Sequence, residues 1–183
     1  MNFELKAMGL AGVSNEKCDA LIVLVPQDFK AGKDDLSVLI AQTLKAGDLE
    51  AKSGKTLCLY RPTQANAARV VLASVGAGAA RDVRGAVLAA VAAAKSPTLK
   101  KLLVCFAAPA REESARAVVN AVADASYTYT TTKSKPEGRT LAKVLVAISN
   151  ASEVQATFER AVGVVSGVEM AKEWANRPAN HAT

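Results

Sequence analysis

Apolar and polar residues alternate in blocks along the chain, and the blocks change period in a regular way. Met1-Asn-Phe-Glu-Leu-Lys6 alternates with period two, as a half-buried strand does. Ala20-Leu-Ile-Val-Leu-Val25 is a continuous apolar run, the pattern of a strand covered on both faces. Asp34 and Asp35 then open a helical segment with Leu36, Leu39, Ile40 and Leu44 on one side, closed by Gly47. Thr56–Tyr60 and 69–75 read as two further strands around a turn holding Pro62 and Asn66. An alanine-rich helix follows from about Arg81 to Lys95, with Val83, Val87, Leu88 and Val91 on its stripe and Pro97 ending it.

Lys101 to Ala107 is predicted as the next buried strand, and Glu112 to Ser126 as a helix with Val118, Val119 and Val122 turned inward. Its two leading glutamates favour the positive end of the helix dipole. Leu141 to Ile148 supplies a last strand. Asn150 with Glu153 three residues on resembles a capping box. The final helix it would open carries Val154, Phe158, Val162, Val165 and Val168 at three- and four-residue spacing. From about 152 to 177 it would span ~39 Å at 1.5 Å per residue, a length suited to connecting two bodies. Strands alternating with helices predict a three-layer α/β/α sandwich with a mixed, mostly parallel sheet. The expected division is an α/β domain over 1–150, a long connecting helix over 151–177, and the start of a linker at 178–183.

Composition narrows this picture. Half of the 183 residues are apolar but only 4% are aromatic, so Val, Leu and Ile on strands must build the core with small alanines packed on them. No apolar run approaches the ~20 residues of a membrane span, and the first residues lack the pattern of a signal peptide. The expectation is a soluble, cytoplasmic protein with no membrane partner. Cys58 and Cys105 lie in apolar strand-like runs and are expected to be buried, whereas Cys18 falls in a polar turn. An odd cysteine count without CxxC spacing suggests neither disulfides nor a zinc site.

The net charge of +6 is concentrated. Residues 55–111 carry nine basic side chains, Lys55, Arg61, Arg69, Arg81, Arg84, Lys95, Lys100, Lys101 and Arg111, against Asp82 alone. Such a cluster is either a solvated face meeting an acidic neighbour or a nucleic-acid-facing surface. Gly76-Ala-Gly78-Ala-Ala-Arg81 follows a strand and opens a helix, the context of a phosphate-binding turn. The third glycine of that motif would fall at Arg81, and Lys100 and Lys101 stand where an acid would hold a ribose. A tight strand-to-helix turn is the plainer reading of Gly76, Gly78 and Arg81.

The remaining candidates are sparse. His181 is the single histidine, so a histidine-based metal site or a Ser-His-Asp triad has no second member. Asp124 and Glu169 read as solvated helix positions, Tyr127 and Tyr129 as packing at a helix end, and Trp174 as an anchor for a neighbouring domain. No catalytic residue and no metal ligand is assigned.

Two segments carry a family likeness. Asn176-x-Pro178-x-Asn180-x-x-Thr183 resembles the junction between the two halves of the leucyl (cytosol) aminopeptidases. Tyr127-x-Tyr129-x-x-x-Lys133-Ser-Lys135 looks like the aromatic-then-lysine segment after the third helix of that family's amino-terminal domain. The order of strands and helices agrees along the whole chain. The resemblance implies a non-catalytic amino-terminal domain, macro-domain-like in fold, belonging to a hexameric exopeptidase. That parent removes amino-terminal residues, leucine prominently, using two divalent metals (zinc, manganese or magnesium). The family's metal ligands, including its Asn-Thr-Asp-Ala-Glu-Gly-Arg motif, have no counterpart in this sequence. Peptide substrates would therefore be met only through an absent catalytic domain. The implied partners are that domain and further copies of the chain, with a role in assembly and access. Some bacterial members bind DNA, which gives the basic 55–111 region its alternative reading.

Overall fold

The computed structural model describes residues 1–132, 134 and 137–178. Lys133, Lys135, Asn180, His181 and Thr183, singled out above, lie outside the described residues. The elements run in the order β1 (Asn2–Ala7), α1 (Leu10–Val13), β2 (Cys18–Val25), α2 (Asp35–Ala46), β3 (Thr56–Tyr60), β4 (Ala67–Ser74), α3 (Ala80–Ala94), β5 (Lys101–Phe106), α4 (Glu112–Ser126), β6 (Lys143–Ile148) and α5 (Ala151–Ala175). One six-stranded sheet has the order β1-β6-β5-β2-β4-β3. Every neighbouring pair is parallel except β3 with β4.

The sheet is covered on both faces, as the uninterrupted apolar runs require. On one side Ala20, Ile22 and Leu24 of β2 pack with Val71, Val104 and Val146 under α3, α4 and the first half of α5. On the other, Leu21, Val23 and Val25 pack with Leu72, Leu103 and Leu145 under α1 and α2. The period of two therefore sends alternate residues of one apolar run into two separate cores. This is the three-layer α/β/α sandwich with a mixed, mostly parallel sheet that the alternation predicts. The short helix α1 went unread in the sequence because four residues cannot display a helical period.

Polar anchors fix the strand order at the amino-terminal edge of the sheet. The carboxylate of Asp19 accepts the backbone N–H groups of both Lys100 and Lys101 at 2.8 Å, tying β2 to β5. Lys101 in turn donates through Nζ to Glu16 and to the Lys17 carbonyl, each at 2.7 Å. The Arg69 guanidinium donates to the Ala94 and Lys95 carbonyls at the end of α3, satisfying acceptors that a helix terminus leaves open.

Two local readings are corrected. Cys18 is not in the polar turn but is the buried first residue of β2, opposite Ala67, because its N–H donates to the Asn66 carbonyl and extends the strand backwards. Asn150 does not form a capping box. Its side chain spans to the β5–α4 loop, where Oδ1 accepts from the Ala110 N–H at 3.0 Å and Nδ2 donates to the Ala110 carbonyl at 3.1 Å. Nδ2 also donates to Glu153 at 2.6 Å, so the glutamate orients the asparagine rather than the backbone.

Asn150 thus satisfies both backbone groups of a residue that is itself buried. Replacement by Ala leaves the Ala110 N–H and carbonyl unpaired and is expected to cost about 1–3 kcal/mol. Urea unfolding followed by circular dichroism measures this, and Asn150→Ser should fall between the two.

Candidate functional site

Two regions of the fold carry chemistry beyond the core. The first is a crevice of about 180 Å³ at the carboxyl ends of β2, β4 and β5, the place where open α/β sheets commonly take ligands. It is floored by Leu24, Val75 and Phe106 and edged by Asp28, Gly78 and Ser114. Gly76 and Gly78 both adopt positive φ, +55° and +74°, so the turn into α3 needs glycine at each. Three of their backbone polar groups have partners within the protein. The Gly76 carbonyl accepts from the Gln27 N–H, and the Gly78 N–H donates to the Val75 carbonyl, each at 2.9 Å. The Gly78 carbonyl accepts the Ser114 hydroxyl at 2.8 Å.

Asp82 comes within 3.9 Å of the position a Cβ on Gly76 would occupy, and Asp28 lines the crevice, while Arg81 is exposed at the start of α3. The structure thus brings Gly76, Gly78 and Arg81 together as a strand-to-helix turn with two carboxylates nearby. Those carboxylates oppose an anion at the helix start, where the open amides favour one.

The nine cations of 55–111 do not form one free surface. Lys55 pairs with Glu50, Arg84 with Asp124, and Lys101 with Glu16, while Arg69 is held by α3 and lies 5.5 Å from the Tyr60 ring centre. Among the described residues no group of three or more His, Cys, Asp or Glu side chains could hold a metal ion, so no metal chemistry is derived from this chain.

The second region is α5, whose two halves differ in what holds them. Through Val165 the helix is attached by apolar contacts, with Ala151, Val154, Phe158, Ala161 and Val165 all buried. Beyond that point the attachment is polar. Asp124 of α4 accepts from Lys172 and from Arg84 of α3, both at 2.8 Å, and so ties three helices together. Arg139 grips Glu169 with both guanidinium arms, one contact at 3.3 Å. Glu173 accepts from the Tyr127 hydroxyl at 3.1 Å and from Thr131 at 2.9 Å. Asp124 is an exposed helix position, as the sequence suggests, and Glu169 is half-buried, but both also hold ion partners. Their partners come from other helices and loops, which helix spacing does not display. Tyr127 does sit at a helix end, closing α4.

All three charged residues of 163–175 therefore turn toward the body of the protein. What remains outward is uncharged: Gly163, Gly167, Ala171 and Ala175 in one line, and Val164, Val168, Met170 and Trp174 beside it, all exposed. Trp174 is 52% exposed and Met170 65%. The outward side of the first half, by contrast, carries Glu153, Glu159 and Arg160.

Comparison with known proteins places this architecture. A family model described as "Cytosol aminopeptidase family, N-terminal domain" matches residues 21–136. The "Probable cytosol aminopeptidase" of Albidiferax ferrireducens is 61% identical over 183 residues, covering all of this chain and 38% of that protein. Its counterpart in Verminephrobacter eiseniae is 51% identical, again over the whole chain and 35% of the relative. The chain thus spans little more than a third of the relatives it matches. Among solved structures, a tomato leucine aminopeptidase mutant superposes with a TM-score of 0.73 over 98% of this chain and 39% of its own, at 22% identity. That likeness speaks for the fold alone.

Two outcomes follow from α5. The hydrogen bond from Lys172, then that from Arg84, holds the Asp124 carboxyl below its ordinary value of 3.8. A carboxyl depressed by folding adds stability above its unfolded pKa, and that increment is lost as pH falls through the folded value. Asp124→Asn should therefore cost at most ~1 kcal/mol at neutral pH, since the site is a third exposed, and flatten the acid limb of a stability–pH curve below about pH 4. Separately, a Cβ added at Gly167 meets nothing within 4 Å. Gly167→Ala should raise the stability of this chain by about 0.5–1 kcal/mol, read as a higher Tm.

Proposed function

The chain belongs to the cytosol aminopeptidase family, as its N-terminal domain, and on that premise we propose that it is the non-catalytic part of a metal-dependent leucyl aminopeptidase. The observation that carries this reading is the match to the Albidiferax ferrireducens relative. All 183 residues align at 61% identity, yet about three-fifths of the relative lies outside the match. The chemistry of the parent enzyme belongs to that larger portion. In this reading it removes amino-terminal residues from peptides with two divalent metals, zinc, manganese or magnesium, that fix and activate the attacking water.

The role of this chain is assembly and access. Its partners are its own catalytic domain and further copies in a homo-oligomer, a hexamer, in the cytoplasm. In this reading residues 1–150 are the α/β body, completed by the first half of α5, the rest of 151–177 is the connection, and 178–183 begin the linker. The half of α5 that is uncharged on its outer side supports a connecting role, because a helix serving only the sandwich would carry charge there, as its own first half does.

The isolated chain is expected to show no turnover of a leucyl chromogenic substrate with manganese, at neutral or alkaline pH. Clear turnover by the purified chain would sink the assignment of catalysis to the rest of the enzyme.

A further inference from the structure

The crevice at the carboxyl ends of β2, β4 and β5 combines an apolar floor with two side chains of opposite charge. Leu24, Val75 and Phe106 lie beneath it, and Ala108 and Pro109 run along one side. Asp28 lines it from the loop after β2, and Arg111 from the loop before α4. Both are exposed, and among the described residues neither pairs with the other or with any third charge. The acid next to Arg111 is turned away: Glu112 accepts the Thr157 hydroxyl of α5 at 2.5 Å. Arg111 is also the N-cap of α4 and carries no side-chain cap bond, so the first amides of that helix add to its positive side.

Size and charge together narrow what can sit there. A lone anion meets Asp28, and a metal ion finds one carboxylate where no group of three donors exists among the described residues. The volume of about 180 Å³ is below the roughly 300 Å³ at which pockets for larger ligands begin, which excludes a nucleotide. An apolar cavity of about 150 Å³ accepts benzene, so this one holds a short aliphatic side chain. We propose that the crevice binds a small, free apolar α-amino acid as its zwitterion. The side chain rests on Leu24, Val75 and Phe106, the ammonium donates to the Asp28 carboxylate, and the carboxylate accepts from the Arg111 guanidinium. Arginine suits that last role because its planar fork meets a carboxylate with two parallel N–H groups.

The placement keeps the site clear of the end of the chain. α4 starts at the crevice and its 15 residues end beside Tyr127, whose hydroxyl donates to Glu173 late in α5. Whatever continues from α5 therefore begins about 22 Å away, the length of that helix. The assignment stands on the crevice alone and survives failure of the aminopeptidase reading. Where that reading holds, the ligand is of the class the parent enzyme releases.

Titration of the purified chain with L-leucine, followed by calorimetry and by amide chemical shifts, tests the site. A Kd of about 1 mM is expected, with shifts confined to the loops that carry Asp28, Gly78 and Arg111. Leucinamide lacks the carboxylate and 4-methylpentanoate lacks the ammonium; each should bind about tenfold more weakly, as loss of a charge-assisted hydrogen bond requires. Asp28→Asn and Arg111→Gln alter exposed side chains, and an unchanged Tm will show that each variant folds. Both should weaken leucine about tenfold, yet act crosswise on the fragments. Asp28→Asn leaves 4-methylpentanoate unaffected, and Arg111→Gln leaves leucinamide unaffected. No shift at about 20 mM leucine in the folded chain overturns the proposal. So does either fragment binding as tightly as leucine, which would make this a site for one charge or none. Leucine binding that neither variant changes, or shifts elsewhere on the surface, overturns it as well.

Discussion

Burial of a parallel sheet on both faces is the constraint from which the remaining features descend. β2, β5 and β6 each have parallel neighbours on both sides, and β4 lies between β2 and the antiparallel edge strand β3. Parallel neighbours cannot be joined by tight turns, so each return crosses a face as a helix, and both faces fill. That single requirement explains the continuous apolar runs, the two separate cores and the alanine-rich helices. Small side chains such as Ala86, Ala90 and Ala94 let α3 lie close to strands already thick with valine. It also places the turns into α3 and α4 at one edge of the sheet, where the crevice near Gly78 and Ser114 forms.

Much of this was legible in the sequence because it is local. The run Ala20–Val25 announces a doubly covered strand, and the spacing of Val154, Phe158 and Val165 announces the buried stripe of α5. What escaped is long-range. Cys18 joins β2 because Asn66, far along the chain, supplies a carbonyl to its N–H. Asn150 looked like a cap because Glu153 is three residues away, but Ala110, forty residues off, engages both ends of its side-chain amide. Asp124 and Glu169 looked solvated because Arg84, Lys172 and Arg139 meet them from other elements. A single sequence displays period and composition; it does not display which polar side chain the fold carries to which.

The candidate site divides in the same way. The glycines at 76 and 78 were read as a turn with a possible phosphate role, and the geometry shows both carbonyls and the Gly78 amide bonded to Gln27, Ser114 and Val75. The uncharged outer side of α5 could have been found by writing the final helix as two stripes rather than one. The inner stripe, strong at first and then replaced by paired charges, drew attention from an outer stripe that begins where the inner one weakens near Val165. The helix therefore turns its apolar side midway, from the sandwich to the outward face.

Trp174, the sole tryptophan, stands on that outer stripe with the Arg177 guanidinium 4.5 Å from its ring centre. Because the cores contain no other indole, the ultraviolet emission of the chain arises almost wholly at this one rim. The molecule carries its own optical gauge, blind to the sandwich and sensitive to the polarity of the surface where α5 faces outward.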